Sequence, residues 1–117
     1  MGESPLSQAL IILHAGPDEA NPRADTAVRL AGAMLADNKD VRMFLAGQGV
    51  LILRDWDKAS DGTRSLLREL LELGLEVQCC GSSLKPQAIE TLPSGVSRSS
   101  MKGLSSWISA ADEVVCF

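Results

Sequence analysis

Hydrophobic residues gather in short runs that are separated by longer segments of mixed polarity. Near-continuous aliphatic runs at Ala9–His14, Val41–Ala46 and Leu75–Cys80 predict strands that are covered on both faces. A fourth strand is predicted at Val114–Phe117, and Gly95–Arg98 is a shorter and weaker candidate. The runs therefore predict a sheet of about five strands.

Apolar residues between the first two strands recur at the spacing of a helix, and Asn21 can cap that helix while Pro22 occupies its first turn. The positions that carry this pattern are Ala24, Ala27, Val28, Ala31, Met34 and Leu35. A second helix is predicted after Asp61, with Gly74 placed to end it. Its apolar stripe consists of Leu66, Leu67, Leu70 and Leu71.

Two further helices, at about Leu84–Thr91 and Ser100–Ala110, complete an alternation of strands with helices. This alternation indicates right-handed crossovers and a parallel sheet with helices on both faces. The predicted fold class is α/β, a three-layer α/β/α sandwich with a mainly parallel sheet of about five strands. We expect residues 9–117 to form one domain and residues 1–8 a flexible N-terminal segment.

Length and composition agree with one compact domain. The chain has 117 residues, of which 45% are hydrophobic and 22% charged, so it can bury a core without disulfides or metal. Its formal net charge of −4 provides no positive field for nucleic acid or anionic lipid, so neither nucleic acid nor a membrane is an expected partner. The longest apolar stretch, Ala9 to Leu13, is too short to cross a bilayer. We therefore expect a soluble, cytoplasmic protein.

The three cysteines are an odd number and include an adjacent pair, which is a poor disulfide framework. A reducing compartment suits them better. The chain has no Cys-x-x-Cys pair and a single histidine, His14, so no metal site is predicted.

The carboxyl ends of parallel strands share one edge of a sheet, and ligands usually bind in the crevice there. This rule brings together three loops, which follow the first, second and third predicted strands. Their candidate ligand-binding residues are His14, Gly16, Gly47, Gln48, Gly49, Gly81, Ser82 and Ser83.

Cys80 is the candidate nucleophile of these loops. Cys79 and Cys80 should point to opposite faces of the sheet if both are extended. The amide groups of the helix predicted after Cys80, together with Lys85, would favour a thiolate at Cys80. The alternative is that Cys79 and Cys80 are both small buried core residues, and for Cys79 and Cys116 we prefer a buried core position.

Other motifs also have two interpretations. Gly47-Gln48-Gly49 could hold a phosphate, although two glycines more simply permit a tight turn. His14 could carry a proton or be packed structurally. The mixed-charge segment Arg54–Lys58 could contact a partner or serve as an exposed connection.

In order along the chain, these residues resemble the DsrE/DsrF-like family, small α/β proteins associated with sulfur oxidation and sulfur relay. The resemblance spans nearly the whole sequence. It rests on Gly-Pro-Asp-Glu at Gly16–Glu19, the alanine-rich helix Arg23–Ala36, Phe-Leu-Ala-Gly-Gln-Gly-Val at Phe44–Val50, Leu-Gly-Leu-Glu-Val at Leu73–Val77, Cys80-Gly81, and Ala110–Phe117.

The resemblance implies a three-layer domain that forms oligomers, often trimers or hexamers, with a cysteine after the third strand in sulfur-transferring members. Cys80 matches that position, and Gly81 and Ser82 would line the site. The implied activity is transfer of sulfane sulfur from a donor protein to an acceptor protein through a persulfide, without an organic cofactor. A noncatalytic oligomeric module that binds a small ligand or partner protein at the same loops is the alternative. A nucleotide-binding regulator that uses Gly47–Gly49 is a third hypothesis.

Overall fold

The computed structural model describes residues 7–57 and 61–117, in which strands alternate with helices. The strands are β1 (Gln8–Leu13), β2 (Asp40–Leu45), β3 (Glu76–Cys80), β4 (Val96–Ser99) and β5 (Glu113–Cys116). The helices are α1 (Arg23–Ala36), α2 (Gly62–Glu72), α3 (Gly81–Leu84) and α4 (Met101–Ala110), and a 3₁₀ helix (Gly47–Leu53) follows β2. All four predicted strands and the weaker fifth candidate are therefore present.

The five strands form one sheet in the order β4-β3-β2-β1-β5, and every neighbouring pair is parallel. The chain steps in one direction from β1 to β4 and then returns to the far side of β1. The crossovers from β1 to β4 run across the sheet in one direction, and the crossover from β4 to β5 runs back. Because all of them are right-handed, the change of direction places their helices on different faces of the sheet. Helices α1 and α2 therefore cover one face, and α4 covers the other. The three-layer α/β/α architecture is confirmed.

The larger core lies between the sheet and the layer that contains α1, α2 and the 3₁₀ helix. Alternate strand residues point into it, including Ile11, Met43 and Val77. Leu67 of α2 and Ile52 of the 3₁₀ helix are completely buried against them. This core fixes the positions of the loops at the carboxyl ends of β1, β2 and β3.

The smaller core lies under α4, where Leu10, Phe44, Ala46, Cys80 and Leu104 are buried together. The ring of Trp107 stands edge-on to Phe44, with their centroids 6.3 Å apart. Three large apolar side chains of α4 and β5 remain exposed. They are Met101, Ile108 and Val114.

Two helix predictions are wrong. Asn21 does not cap α1, because residues 18–21 form a turn and Pro22 is the residue that precedes the helix, without a capping side chain. The predicted helix Leu84–Thr91 is replaced by α3, which begins directly after Cys80. Ala88 adopts a positive φ of 56° in the turn after α3, a conformation that a helix cannot contain.

The predicted boundaries of α2 are confirmed by its capping contacts. Asp61 accepts a hydrogen bond from the Arg64 backbone amide at 3.0 Å, and Gly74, which follows the C-cap residue Leu73, has a φ of 109°. At the N-terminus, Gln8 belongs to β1 rather than to a loose segment, and Ser7 accepts a hydrogen bond from Asp40. Residues 1–6 of the predicted flexible segment lie outside the described residues.

The described part of the mixed-charge segment, residues 54–57, is a largely exposed connection between the 3₁₀ helix and α2. The guanidinium of Arg54 donates to the Gln87 carbonyl at 2.6 Å, and that of Arg68 lies 4.8 Å from the centroid of the half-buried Trp56 ring. Lys58 lies outside the described residues. None of the helices in the described ranges has both the length and the apolar character that a bilayer span requires.

Candidate functional site

The candidate site lies where β1, β2 and β3 end. The backbone amide of Ala46 donates to the Leu13 carbonyl at 3.0 Å, so the loop after β2 is held against the end of β1. The amide of Gly47 donates to the Ser83 hydroxyl at 2.9 Å, which joins the same loop to α3. The structure therefore brings the three predicted loops together.

Cys80 ends β3 and directly precedes α3, with extended backbone angles of φ −71° and ψ 119°. Cys80 is only 5% exposed, and its side chain lies on the face of the sheet that α4 covers. The Cys80 sulfur lies 3.1 Å from the Ser82 hydroxyl oxygen. Extended backbone followed at once by helical turns thus places the thiol beside the first amides and hydroxyls of α3.

These polar groups lower the pKa of the Cys80 thiol. The Ser82 hydroxyl is the largest cause, and the Ser83 hydroxyl and the backbone amides of both serines add to it. Burial acts in the opposite direction but does not cancel them. A thiolate at this position is stabilised because each of these groups can donate a hydrogen bond to the negative sulfur.

The other two cysteines differ from Cys80 in their surroundings. Cys79 is completely buried in the larger core, and burial raises the pKa of its thiol. Cys79 and Cys80 therefore point to opposite faces, as their adjacency on a strand predicts. The expectation that Cys116 is buried is wrong: it is exposed, because β5 is an edge strand that α4 does not cover.

The two glycines of the second loop are required by close packing. Gly47 has a φ of 52°, and a methyl group there would collide with the imidazole of His14. A methyl group at Gly49 would collide with the carbonyl group of Leu13. The amides of Gly47 and Gly49 donate to Ser83 and Ala46. These contacts favour the alternative of a tight turn, and ligand binding by the two glycines stays a prediction.

The remaining predicted residues surround this turn. His14 is exposed, and its backbone amide donates to the Phe117 carbonyl at 2.8 Å. A methyl group at Gly16 would lie 3.1 Å from the Gln48 carbonyl oxygen, so the first and second loops are in close contact. Gln48 is exposed, and ligand binding by these residues stays a prediction.

The sequence profile of the DsrE/DsrF-like family matches residues 8–117. The chain belongs to this family. An uncharacterized protein from Methanopyrus kandleri is 30% identical over 99 residues, which cover 81% of this chain and 82% of the relative. An uncharacterized protein from Methanocaldococcus jannaschii is also 30% identical over 99 residues, covering 81% and 87%.

Solved structures agree with this membership. The ychN protein from E. coli superimposes with a TM-score of 0.80 and 27% identity, covering 94% of this chain and 99% of that protein. A protein of unknown function from Methanobacterium thermoautotrophicum has a TM-score of 0.71 at 17% identity, covering 95% and 99%, and supports the fold alone. Membership of the DsrE/DsrF-like family suggests a role related to sulfur relay.

In this DsrE-like chain, sequence reasoning missed one residue near Cys80. The aliphatic part of Arg98 packs on Gly81, with two side-chain carbons 3.2 Å from the place where a β-carbon of Gly81 would stand. Arg98 reaches this position because β4 pairs with β3 and aligns Arg98 with Cys79. Only the strand order could have revealed this neighbour. Among the described residues, no three His, Cys, Asp or Glu side chains group closely enough to hold a metal ion.

Proposed function

We propose that this DsrE/DsrF-like protein takes part in sulfur oxidation or sulfur relay as a sulfur carrier, with the transferred sulfur held as a persulfide on Cys80. The observation that carries the proposal is the hydroxyl and amide environment of the Cys80 thiol, which lowers its pKa at the end of β3. Cys79 has the opposite shift, and the exposed Cys116 lies on an edge strand away from α3. Cys80 is thus the best-suited nucleophile of the three.

The proposed transfer is a thiol exchange in two steps. The Cys80 thiolate attacks the outer sulfur of a donor persulfide, a new S–S bond forms, the donor S–S bond breaks, and the donor leaves as a thiolate. An acceptor thiolate then attacks the outer sulfur of the Cys80 persulfide, and Cys80 leaves as a thiolate. A lowered pKa favours both steps, because it increases the thiolate fraction and improves the leaving group.

Intact-protein mass spectrometry after exposure to a persulfide donor tests this function. We expect wild type to gain one sulfur atom that a reductant removes, and Cys80→Ser to gain none. Cys116→Ser is the matched control, because it removes an exposed thiol and should load like wild type. Equal loading of wild type and Cys80→Ser would refute the proposal.

The second candidate function is a noncatalytic oligomeric module that binds a small ligand or partner protein at the same edge. The low exposure of Cys80, at 5%, is the observation that favours it, because a protein partner reaches a nearly buried sulfur with difficulty. In that case Cys80→Ser would retain full binding while neither protein gains sulfur.

We also propose that the chain forms a homo-oligomer, a trimer or a hexamer. The support is that α4 and β5 expose three large apolar side chains, Met101, Ile108 and Val114. A second copy would remove these side chains from water, and exposed apolar patches often mark such interfaces. Light scattering measures the number of subunits.

A further inference from the structure

His14 lies at the same end of the sheet as Cys80 and on the same face. The last paired row of β1, β2 and β3 consists of Leu13, Leu45 and Cys79. All three residues of that row are buried in the larger core, so the residue that follows each of them is directed to the opposite face. Ala46 and Cys80 are accordingly buried in the smaller core, under α4. His14 is the third residue of this next row, and Ala15 after it packs on the larger core again.

The imidazole of His14 reaches across the edge of the sheet toward Cys80. The row places Ala46 between these two residues, and two strand spacings separate their α-carbons by about 10 Å. A β-carbon on Gly47 would collide with Nε2 and Cε1 of His14, so the far end of the ring lies over the chain that follows β2. One strand spacing, about 5 Å, then remains between that chain and the chain that carries Cys80.

The contacts around the imidazole connect it with the thiol. The Gly47 amide donates to the Ser83 hydroxyl at 2.9 Å, and this hydroxyl is one of the groups that stabilise the Cys80 thiolate. The side chain between them in the row is only the methyl group of Ala46. His14 is exposed, so its imidazole can exchange protons with water. A nucleophile and an exchangeable proton therefore flank one short stretch of the sheet edge.

We propose that His14 carries the protons of sulfur exchange at Cys80. The Cys80 thiolate forms a bond to the outer sulfur of the donor as the donor S–S bond breaks, and the inner sulfur leaves with the electron pair and takes a proton from the imidazolium. The neutral imidazole then removes the proton of an acceptor thiol. The acceptor thiolate attacks the outer sulfur of the Cys80 persulfide and releases the Cys80 thiolate. This inference rests on the proposed function and adds a proton carrier to the same site.

Two small disulfides separate proton transfer from other effects of His14. Hydroxyethyl disulfide releases a basic alkyl thiolate, whereas dithiodipyridine releases a thiolate that its ring stabilises and that needs no proton. In a Cys116→Ser background, we expect His14→Gln to slow the reaction of Cys80 with hydroxyethyl disulfide about tenfold. This is less than the usual effect of a general acid, because alkyl thiolates already leave readily. The rate with dithiodipyridine should not change.

The control variant is Glu19→Gln, an exposed change in the loop that follows His14, and it should alter neither rate. Equal slowing of both reactions by His14→Gln would overturn the inference, because a smaller thiolate fraction slows every reaction of Cys80 alike. Slowing of neither reaction would overturn it as well.

Sulfur loading from cysteine persulfide distinguishes this inference from the proposed function. The donor releases an alkyl thiolate, so His14→Gln should load Cys80 about tenfold more slowly than wild type, and Glu19→Gln should load like wild type. Equal rates in all three proteins would overturn the role of His14 and leave the proposed function intact. Failure of wild type to load would refute the proposed function and this role together.

Discussion

Replacing Ser82 with alanine removes the group that contributes most to the lowered pKa of Cys80. The Ser82 hydroxyl lies 3.1 Å from the Cys80 sulfur and can donate a hydrogen bond to the thiolate. Without that donor the thiolate loses stabilisation relative to the thiol. The pKa of Cys80 should therefore rise in Ser82→Ala.

The size of the effect follows from the strength of one charged hydrogen bond. Such a bond contributes about 1.5 kcal/mol, which corresponds to about one pKa unit. Below both pKa values the thiolate fraction then falls about tenfold, but each remaining thiolate is about threefold more reactive because nucleophilicity rises with pKa. The net reaction should be about threefold slower at pH values below both pKa values, and about threefold faster above both.

The assay is the rate of exchange of Cys80 with a small symmetrical disulfide, followed by peptide mass spectrometry between about pH 5 and pH 10. A Cys116→Ser background removes the exposed thiol. Ser106→Ala is the matched control, because the Ser106 hydroxyl donates to a backbone carbonyl within α4. The pH profiles of Ser82→Ala and its parent should cross. Superimposable profiles would show that Ser82 does not stabilise the thiolate.

Three further predictions concern folding and assembly. Gly49→Ala should lower the free energy of unfolding by about 2 kcal/mol or more in urea melts, since its methyl group meets a backbone carbonyl, whereas Gly62→Ala, with open space at that position, should raise it by about 0.5 kcal/mol. Asp61→Ala should cost about 1 kcal/mol at neutral pH. The pKa of Asp61 is lowered in the folded protein, so its stabilisation is present above the ordinary carboxyl pKa and is lost as pH falls through the pKa of the folded protein. Asp61→Asn should keep the helix cap but lose this pH dependence of the free energy of unfolding. Ile108→Glu should reduce the mass of the assembly that light scattering measures. Leu73→Glu is the control, because it also replaces an exposed apolar side chain but lies at the end of α2, and it should leave the mass unchanged. If Ile108→Glu has the same mass as wild type, the interface does not include Ile108.

The fold could be predicted because buried parallel strands and amphipathic helices have different hydrophobic periods. Ala9–His14 and the leucine stripe of α2 show these periods without help from tertiary structure. The start of α1 could not be predicted from Asn21, because the turn before it places Pro22 at the helix boundary. The start of α3 was missed because a four-residue helix has no periodicity to read.

The sequence predicted which loops form the candidate site but not which side chains contact one another there. The edge rule for parallel sheets brought Cys80 and Gly47 to the same side, and the Ser83 hydroxyl joins their loops. The position of Arg98 depends on which strand lies beside β3, and no sequence pattern gives that order. The exposure of Cys116 depends on the same fact, since a central strand would have buried it.

The strand order also bears on how the chain folds during synthesis. Strands β1 to β4 are neighbours in the order in which they are made, so these four strands can pair before residues 101–117 emerge from the ribosome. Within residues 7–57 and 61–117, α4 is the only helix that covers Leu10 and Phe44, and α4 and β5 follow the other four strands along the chain. A nascent chain therefore carries one bare apolar sheet face until residues 101–117 arrive, and it is most prone to aggregate or recruit a chaperone during that interval.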